Sequence, residues 1–416
     1  VSSFSFIHAA DLHLDSPFKS ISNLDPLLAE RLIKESQNVF KRLIDTCIQQ
    51  QVSFLLISGD SFDSGSGNLS GQLHFLNGMK TLEEANIPVF LICGNHDPLD
   101  QWSQHLDLPS NVHRFSGDDV YRKVHHIDGD VIGIYGISYL SQREERNLAQ
   151  QFKVDAADHF SIALLHGNFG SDTGHANYAP FALPDLQSAG MDYWALGHIH
   201  KRQVISESQP LAIYPGNIQG RHFNETGLKG CMKIDVNIGS IQNVDFLPLS
   251  EIVFERMEID ISDVETLGSL HNRLSQLSEM GNYEKNISLL LRLTLTGTTP
   301  LHSELQEDEI RSYFHEQFSD FSSPFIFIDR IIDQTRPPFD EEERIQSADF
   351  VGDVLRRFDT LKNEKSSLDA LANRLFNDIR GSKFNRYVPD PSQTELLEAL
   401  EKGKWDLIER LIQENR

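Results

Sequence analysis

Cysteine is scarce: three residues in 416, Cys47, Cys93 and Cys231, exclude a disulfide-stapled scaffold. They are odd in number, far apart and without a C-x-x-C, which predicts reduced, mostly buried thiols. Long apolar runs are missing too, and none approaches the roughly 20 residues that span a bilayer. Val1-Ser2-Ser3-Phe4 leads into a strand pattern without a basic leader, so no export signal is expected. These absences predict a cytoplasmic protein away from any membrane. Positive charge is also short: 37 Lys and Arg stand against 61 Asp and Glu, a formal net charge of -24. Counterion release requires clustered cations, so coating a nucleic acid through a general basic surface is excluded. A polyanion has to be held locally, by metals, a few placed cations or a partner.

What is present is a globular chain, 39% hydrophobic and long enough for two or three domains. In the first half, apolar strand-like runs alternate with helical spacing and stop abruptly at polar residues. Phe4 to Ala9 precedes Asp11-Leu12-His13, and Leu55-Leu56-Ile57-Ser58 precedes Gly59-Asp60. Pro88 to Ile92 precedes Gly94-Asn95-His96-Asp97, Ser161 to Leu165 precedes His166, and Tyr193 to Leu196 precedes Gly197-His198-Ile199-His200. This predicts an α/β layered sheet with polar strand ends, continued by short strands to Leu249. Boundaries are expected at residues 1–250, 251–335 and 336–416: a catalytic domain, a small α+β cap and a helical tail. In the cap, Ser262 and Glu265 read as a capping box, and the leucines around Leu289 to Leu295 as a strand with one wetter face. Arg336-Pro337-Pro338 and the acidic run to Glu343 read as a linker. In the tail, Ser392 and Glu395 read as capping a short helix that ends near Gly403.

The strand ends carry the chemistry. Asp11 and His13, like His198 and His200, are two apart, and in an extended segment both side chains of each pair point to one side. Asp11, His13, Asp60, Asn95, His166, His198 and His200 together offer carboxylate, amide and imidazole ligands. That mixture suits Mn, Fe or Zn better than Mg or Ca. Asp60, at a central strand end, is the candidate to bridge two cations. Two such ions acidify bound water, so a bridging hydroxide near neutral pH is expected. Gly94 permits the turn of its motif. His125-His126, His105 and His175 read as surface or loop residues.

This ordered set resembles the calcineurin-like metallophosphoesterases, and within them the SbcD-type nucleases of DNA double-strand-break repair, in a YhaO-like branch. The motifs cover roughly residues 4 to 250. The resemblance implies a four-layer sandwich with a small α+β cap and a helical C-terminal tail. It implies that Asp11, His13 and His200 hold one metal, Asn95, His166 and His198 the other, and Asp60 both. His96 would face the scissile phosphate, with Asp63 and Asp97 orienting it. Further implications are Mn-dependent exonuclease or endonuclease activity on DNA, a homodimer, and an SbcC-like ATPase partner docked on the C-terminal helices.

Candidate DNA-backbone contacts are Lys201, Arg202, Arg221 and His222. Arg292, alternating with leucines, is a weaker one. Three alternatives compete. A phosphoprotein phosphatase is disfavoured because Ser64 stands where those enzymes typically place an arginine. A nucleotide or cyclic-nucleotide phosphodiesterase leaves the cap and tail surplus. A non-catalytic scaffold requires lost ligands, and none is missing.

Overall fold

The alternating segments of the first half form two six-stranded sheets in a computed structural model of the chain. It describes residues 3–14, 26–63, 69–102, 107–170, 178–277, 286–317, 324–338, 341–380 and 391–413. Ser64, His105 and His175 lie outside the described residues. Strands β1 (Ser3–Ala9), β2 (Phe54–Ser58), β3 (Val89–Ile92) and β4 (Val112–Arg114) run parallel side by side. The second sheet takes β5 (Tyr121–Ile127), β6 (Asp130–Gly136), β7 (Phe160–His166), β8 (Tyr193–Gly197), β9 (Gln203–Ser206) and β10 (Leu211–Tyr214), in the order β5-β6-β7-β8-β10-β9. The chain then returns to the first sheet, where β11 (Gly230–Asn237) pairs antiparallel with β1 and β12 (Ser240–Pro248) follows at the edge.

Alternation along the strands makes the layers. Phe4, Phe6, Phe54, Leu56, Phe90 and Ile92 meet Ile132, Ile134, Ile162 and Leu164 in one core between the sheets. On the other face of the first sheet, Ile7, Leu55, Ile57 and Leu91 pack against helices α1 (Pro26–Gln49) and α2 (Leu69–Glu84), through Val39, Leu43, Phe75 and Met79. On the second sheet, Ala163, Leu165 and Trp194 pack under Leu148, Phe152 and Leu186. Each such burial contributes roughly 1.5–3 kcal/mol. The result is the four-layer α/β sandwich expected from sequence. All three cysteines are free and buried. Among the described residues no helix is long and apolar enough to cross a membrane.

Strands β13 (Ile252–Asp260), β14 (Ser288–Thr298) and β15 (Ile326–Arg336) form a three-stranded sheet. Backbone contacts divide the chain into two compact units. The first holds residues 1–259, 271–294 and 309–332; the second holds 260–270, 295–308 and 333–416. Leu290 falls on the wetter face of β14 by alternation, yet it is buried, because Phe223, Phe254, Phe325 and Phe327 cover it.

Three local readings are corrected. The Ser262 hydroxyl donates to Asp260 and accepts from Thr298 N, so it caps no helix; Thr266 Oγ1 accepts from Ser269 N instead. The acidic run past Pro338 is no open linker from Glu341 on: Glu341–Ile345 is helical, and Glu341 receives Lys404 Nζ at 2.9 Å. Ser392 and Glu395 do form a reciprocal capping box, but the helix they open runs from Gln393 to Gln413 straight through Gly403. Burial of Ile408 against Val351 and Leu355 offsets the roughly 1 kcal/mol that an interior glycine costs.

Candidate metal centre

The polar residues of the five motifs sit where strands β1, β2, β3, β7 and β8 end. The chain after β1 stays zipped to the chain after β2: Asp11 N donates to Gly59 O at 3.1 Å, His13 N to Asp60 O at 3.0 Å and Leu14 N to Ser61 O at 3.0 Å. Asp11, His13 and Asp60 hold these bonds with φ of 51°, 42° and 51°, and His198 has φ 101°. This corrects the sequence reading, in which i, i+2 pairs converge because the segment is extended. They converge where Asp11, His13 and His198 take left-handed backbone, which non-glycine residues adopt at some cost. Gly94 is likewise required for closeness rather than for a turn: a methyl there would collide with Asp60 Oδ1 and the His166 ring.

Three overlapping clusters result among the described residues: His13, Asp63 and His96 form one, and Asp60 lies between the other two. Asp11, His13 and His200 place one donor atom each within 4.8 Å of the others, and so do Asp60, His166 and His198. Asn95 Oδ1 lies 3.1 Å from His166 Nε2 and 3.0 Å from His198 Nδ1, which brings it into the second cluster. Asp60 Oδ2 is 3.3 Å from His166 Nε2 and 3.8 Å from His13 Nε2, so one carboxylate oxygen faces both sets. Its Oδ1 accepts from His96 N at 2.9 Å.

The tautomers decide whether cations fit. His166 Nδ1 donates to Ser58 O at 2.9 Å, so Nε2 is the nitrogen turned to Asp60 and Asn95. His200 Nδ1 faces Glu225 Oε1 at 2.6 Å, and His13 Nδ1 lies 3.2 Å from Asp63 Oδ1. The two Nε2 atoms face each other across 3.1 Å. Imidazole nitrogens and carboxylate oxygens converge in this way where positive charge is to be held, so the residues fit divalent cations. Burial, helped by the Arg221 charge, pushes His13 down to about 3 and keeps it a neutral ligand. Burial also opposes charge on His166, but the Asp60 carboxylate outweighs it and raises the imidazole to about 9, so that without a cation Nε2 keeps a proton directed at Asp60, which a bound cation would displace.

His96 is the accessible residue beside these clusters, its side chain 39% exposed, with Nδ1 2.9 Å from Asp63 O and its ring 5.0 Å from that of His13. Asp63 therefore meets the catalytic candidate through its backbone oxygen and, at 3.7 Å, through its carboxylate, which also serves His13 and Arg221. Asp97 acts on the turn that carries His96 rather than on the ring, since its oxygens accept from Gly94 N at 2.8 Å and Ser61 N at 2.7 Å. Burial and the Asp60 charge push Asp97 up to about 8.

The four candidate DNA contacts separate. Arg221 Nη1 lies 2.8 Å from Asp63 Oδ1, next to the site. His222 Nε2 is 3.3 Å from Glu225 Oε1. Lys201 and Arg202 are exposed, and Arg202 lies over the Phe246 ring at 3.9 Å. Sequence reasoning misses Glu225 and Lys229, whose Nζ donates to His200 O at 3.1 Å. It also misses His8, fully buried against Tyr193 and Ser58, because no motif marks any of them.

The calcineurin-like phosphoesterase family matches residues 4–202. The middle domain of metallophosphoesterase YhaO matches residues 254–336. An uncharacterised metallophosphoesterase, YhaO of Bacillus subtilis, is 38% identical over 301 residues, covering 71% of this chain and 72% of that one. The chain belongs to the calcineurin-like metallophosphoesterases. Within the metallophosphoesterases it is similar to a DNA double-strand break repair protein, Mre11, of Sulfolobus acidocaldarius, 22% identical over 310 residues, 72% of this chain and 76% of that one. It is also similar to a subunit of the nuclease SbcCD of B. subtilis, 24% identical over 260 residues, 53% of this chain and 63% of that one. As a metallophosphoesterase it is a hydrolase with residues suited to two divalent metals.

Proposed function

We propose that this metallophosphoesterase is a cytoplasmic, homodimeric DNA nuclease of double-strand-break repair, using two divalent ions, most readily Mn, and working with an SbcC-like ATPase docked on its C-terminal helices. The observation that carries the reading is the pair of His- and carboxylate-lined clusters joined by Asp60, with the accessible His96 beside them. Relatives named for break repair and for a nuclease subunit support DNA as the substrate. In this reading residues 1–250 are the catalytic domain, 251–335 the cap that recognises DNA and 336–416 the docking region.

Asp11, His13 and His200 would hold one ion, Asn95, His166 and His198 the other, and Asp60 both. The bound ions supply Lewis acidity to the phosphoryl oxygens and acidify the attacking water. His96, fixed through Nδ1 by Asp63 O, offers Nε2 to the scissile phosphate, stabilising charge there or protonating the leaving oxygen. Asp97 holds the turn beneath it. Arg221 meets the phosphate neighbouring the reacting one, and Lys201, Arg202 and His222 extend that contact. The partner provides the broader DNA affinity that a net charge of -24 withholds.

The test is Mn-dependent degradation of linear DNA by the chain with its ATPase partner, against His96→Ala. The variant is expected to bind metal normally and lose roughly 10²- to 10⁴-fold in rate. Cleavage of small nucleotide diesters without cleavage of DNA would replace the nuclease reading by a small-diester phosphodiesterase. A fully active His96→Ala would remove the role given to that residue.

A further inference from the structure

A five-residue loop, Arg221 to Glu225, connects the candidate metal ligands to a hydrophobic core that lies outside the site. At its end, Glu225 Oε1 meets His200 Nδ1 at 2.6 Å, and Oε2 accepts from Asn217 Nδ2 at 2.9 Å and from Arg221 N at 2.8 Å. At its start, Arg221 bonds the Asp63 carboxylate. Between them Phe223 turns away from the site and is 1% exposed, in a core with Ile252, Phe254, Leu290, Phe325 and Phe327. Its ring meets Phe254 edge-on at 5.1 Å.

Two arginines of the three-stranded sheet hold the same residue. Arg256, on β13, donates from Nε to Phe223 O at 2.8 Å and from Nη2 to Asn224 Oδ1 at 2.7 Å. Arg292, on β14, lies over the Phe223 ring at 4.1 Å while Nε donates to Asp329 at 2.7 Å. Glu225 N also donates to His222 O at 2.9 Å, which closes the loop on itself between Phe223 and Glu225.

We propose that Arg221–Glu225 is a positioning element through which β13 and β14 set the orientation of His200 and Asp63, and with it how tightly a cation is held beside His200. Glu225 fixes the His200 tautomer that leaves Nε2 free to ligate, and such a carboxylate behind a metal-binding imidazole governs both ring orientation and basicity. Phe223 and Arg256 are positioning residues that act through Glu225. A change in the sheet, on binding a polyanion or a partner, then reaches the metal centre without any new contact to it. The proposal rests on the metal-centre reading.

The experiment titrates Mn²⁺ into the metal-stripped chain by calorimetry and records the Mn²⁺ electron paramagnetic resonance spectrum at saturation. Glu225→Ala is expected to weaken one of two Mn²⁺ sites by about 10- to 100-fold, with partial rescue in Glu225→Gln, which keeps an acceptor for Nδ1. Arg256→Gln, at an exposed position, and Phe223→Leu, which keeps the site apolar, are expected to weaken that same site by roughly 3- to 10-fold and alter its spectrum. Both measurements at wild-type values in Arg256→Gln and Phe223→Leu would overturn the coupling. A wild-type chain that binds no Mn²⁺ would overturn the metal-centre reading, and the coupling with it.

Discussion

Lowering the pH from 7 to 5 probes one group beneath the candidate site. His8 is fully buried between the two sheets, with Nδ1 2.9 Å from Tyr193 Oη and Nε2 3.2 Å from Ser58 Oγ. Burial lowers its pKa from 6.5 to about 3. Because the folded value lies below the unfolded one, only the unfolded chain gains this proton as the pH falls below 6.5. The stability contributed by neutral His8 is complete above 6.5 and is lost as the pH falls through the window down to about 3. At pH 5 the gap is about 1.5 units, which at about 1.36 kcal/mol per unit removes ~2 kcal/mol. His8→Gln keeps a polar group there and abolishes the titration. Urea unfolding of both proteins at pH 7 and pH 5, in one chelator-containing buffer, isolates this group, since the titration of the metal ligands is common to both. The wild type is expected to lose ~2 kcal/mol more than the variant between the two pH values. Equal losses would refute the reasoning, whatever the variant costs at pH 7.

Two further outcomes follow from the site itself. Gly94→Ala forces a methyl against Asp60 and His166, so a destabilisation of ~1–3 kcal/mol together with loss of Mn²⁺ binding is expected, read by thermal melting and calorimetry; a variant that keeps both would contradict the close approach. Mn²⁺ at 100 times its dissociation constant is expected to stabilise the fold by ~2.7 kcal/mol, reversibly with EDTA. No shift in the urea midpoint would mean that the native clusters hold no cation in preference to the unfolded chain.

The strand ends were legible because each apolar run stops at a residue that is out of place in a core, and the same ends carry the histidines and carboxylates now found in overlapping clusters. Glu225 was not legible. Its partner His200 lies 25 residues away, and one glutamate in Arg221-His222-Phe223-Asn224-Glu225 carries no period or motif. His8 is invisible for a related reason: a histidine in a strand of alternating apolar residues looks the same whether it faces solvent or a buried tyrosine. Ser262 and Gly403 misled through local rules that tertiary contacts override. Thr298 N takes the Ser262 hydroxyl, and Ile408 carries its helix past the glycine.

The left-handed backbone at Asp11, His13, Asp60 and His198 was the least legible feature, since none of these residue types demands it, and it bears most directly on function. Each such residue costs of order 1–3 kcal/mol. The three bonds that zip the chain after β1 to the chain after β2 return about 0.5–1.5 kcal/mol apiece. Apolar packing just beyond adds to them. Leu14 and Phe62 bridge the two segments and are both buried in the core under α1 and α2, with Phe62 stacked edge-on against Phe75 and Trp102. Packing of apolar side chains therefore maintains a strained arrangement of polar ones. The fold itself holds the donor atoms together, and less binding free energy is then lost to ordering them.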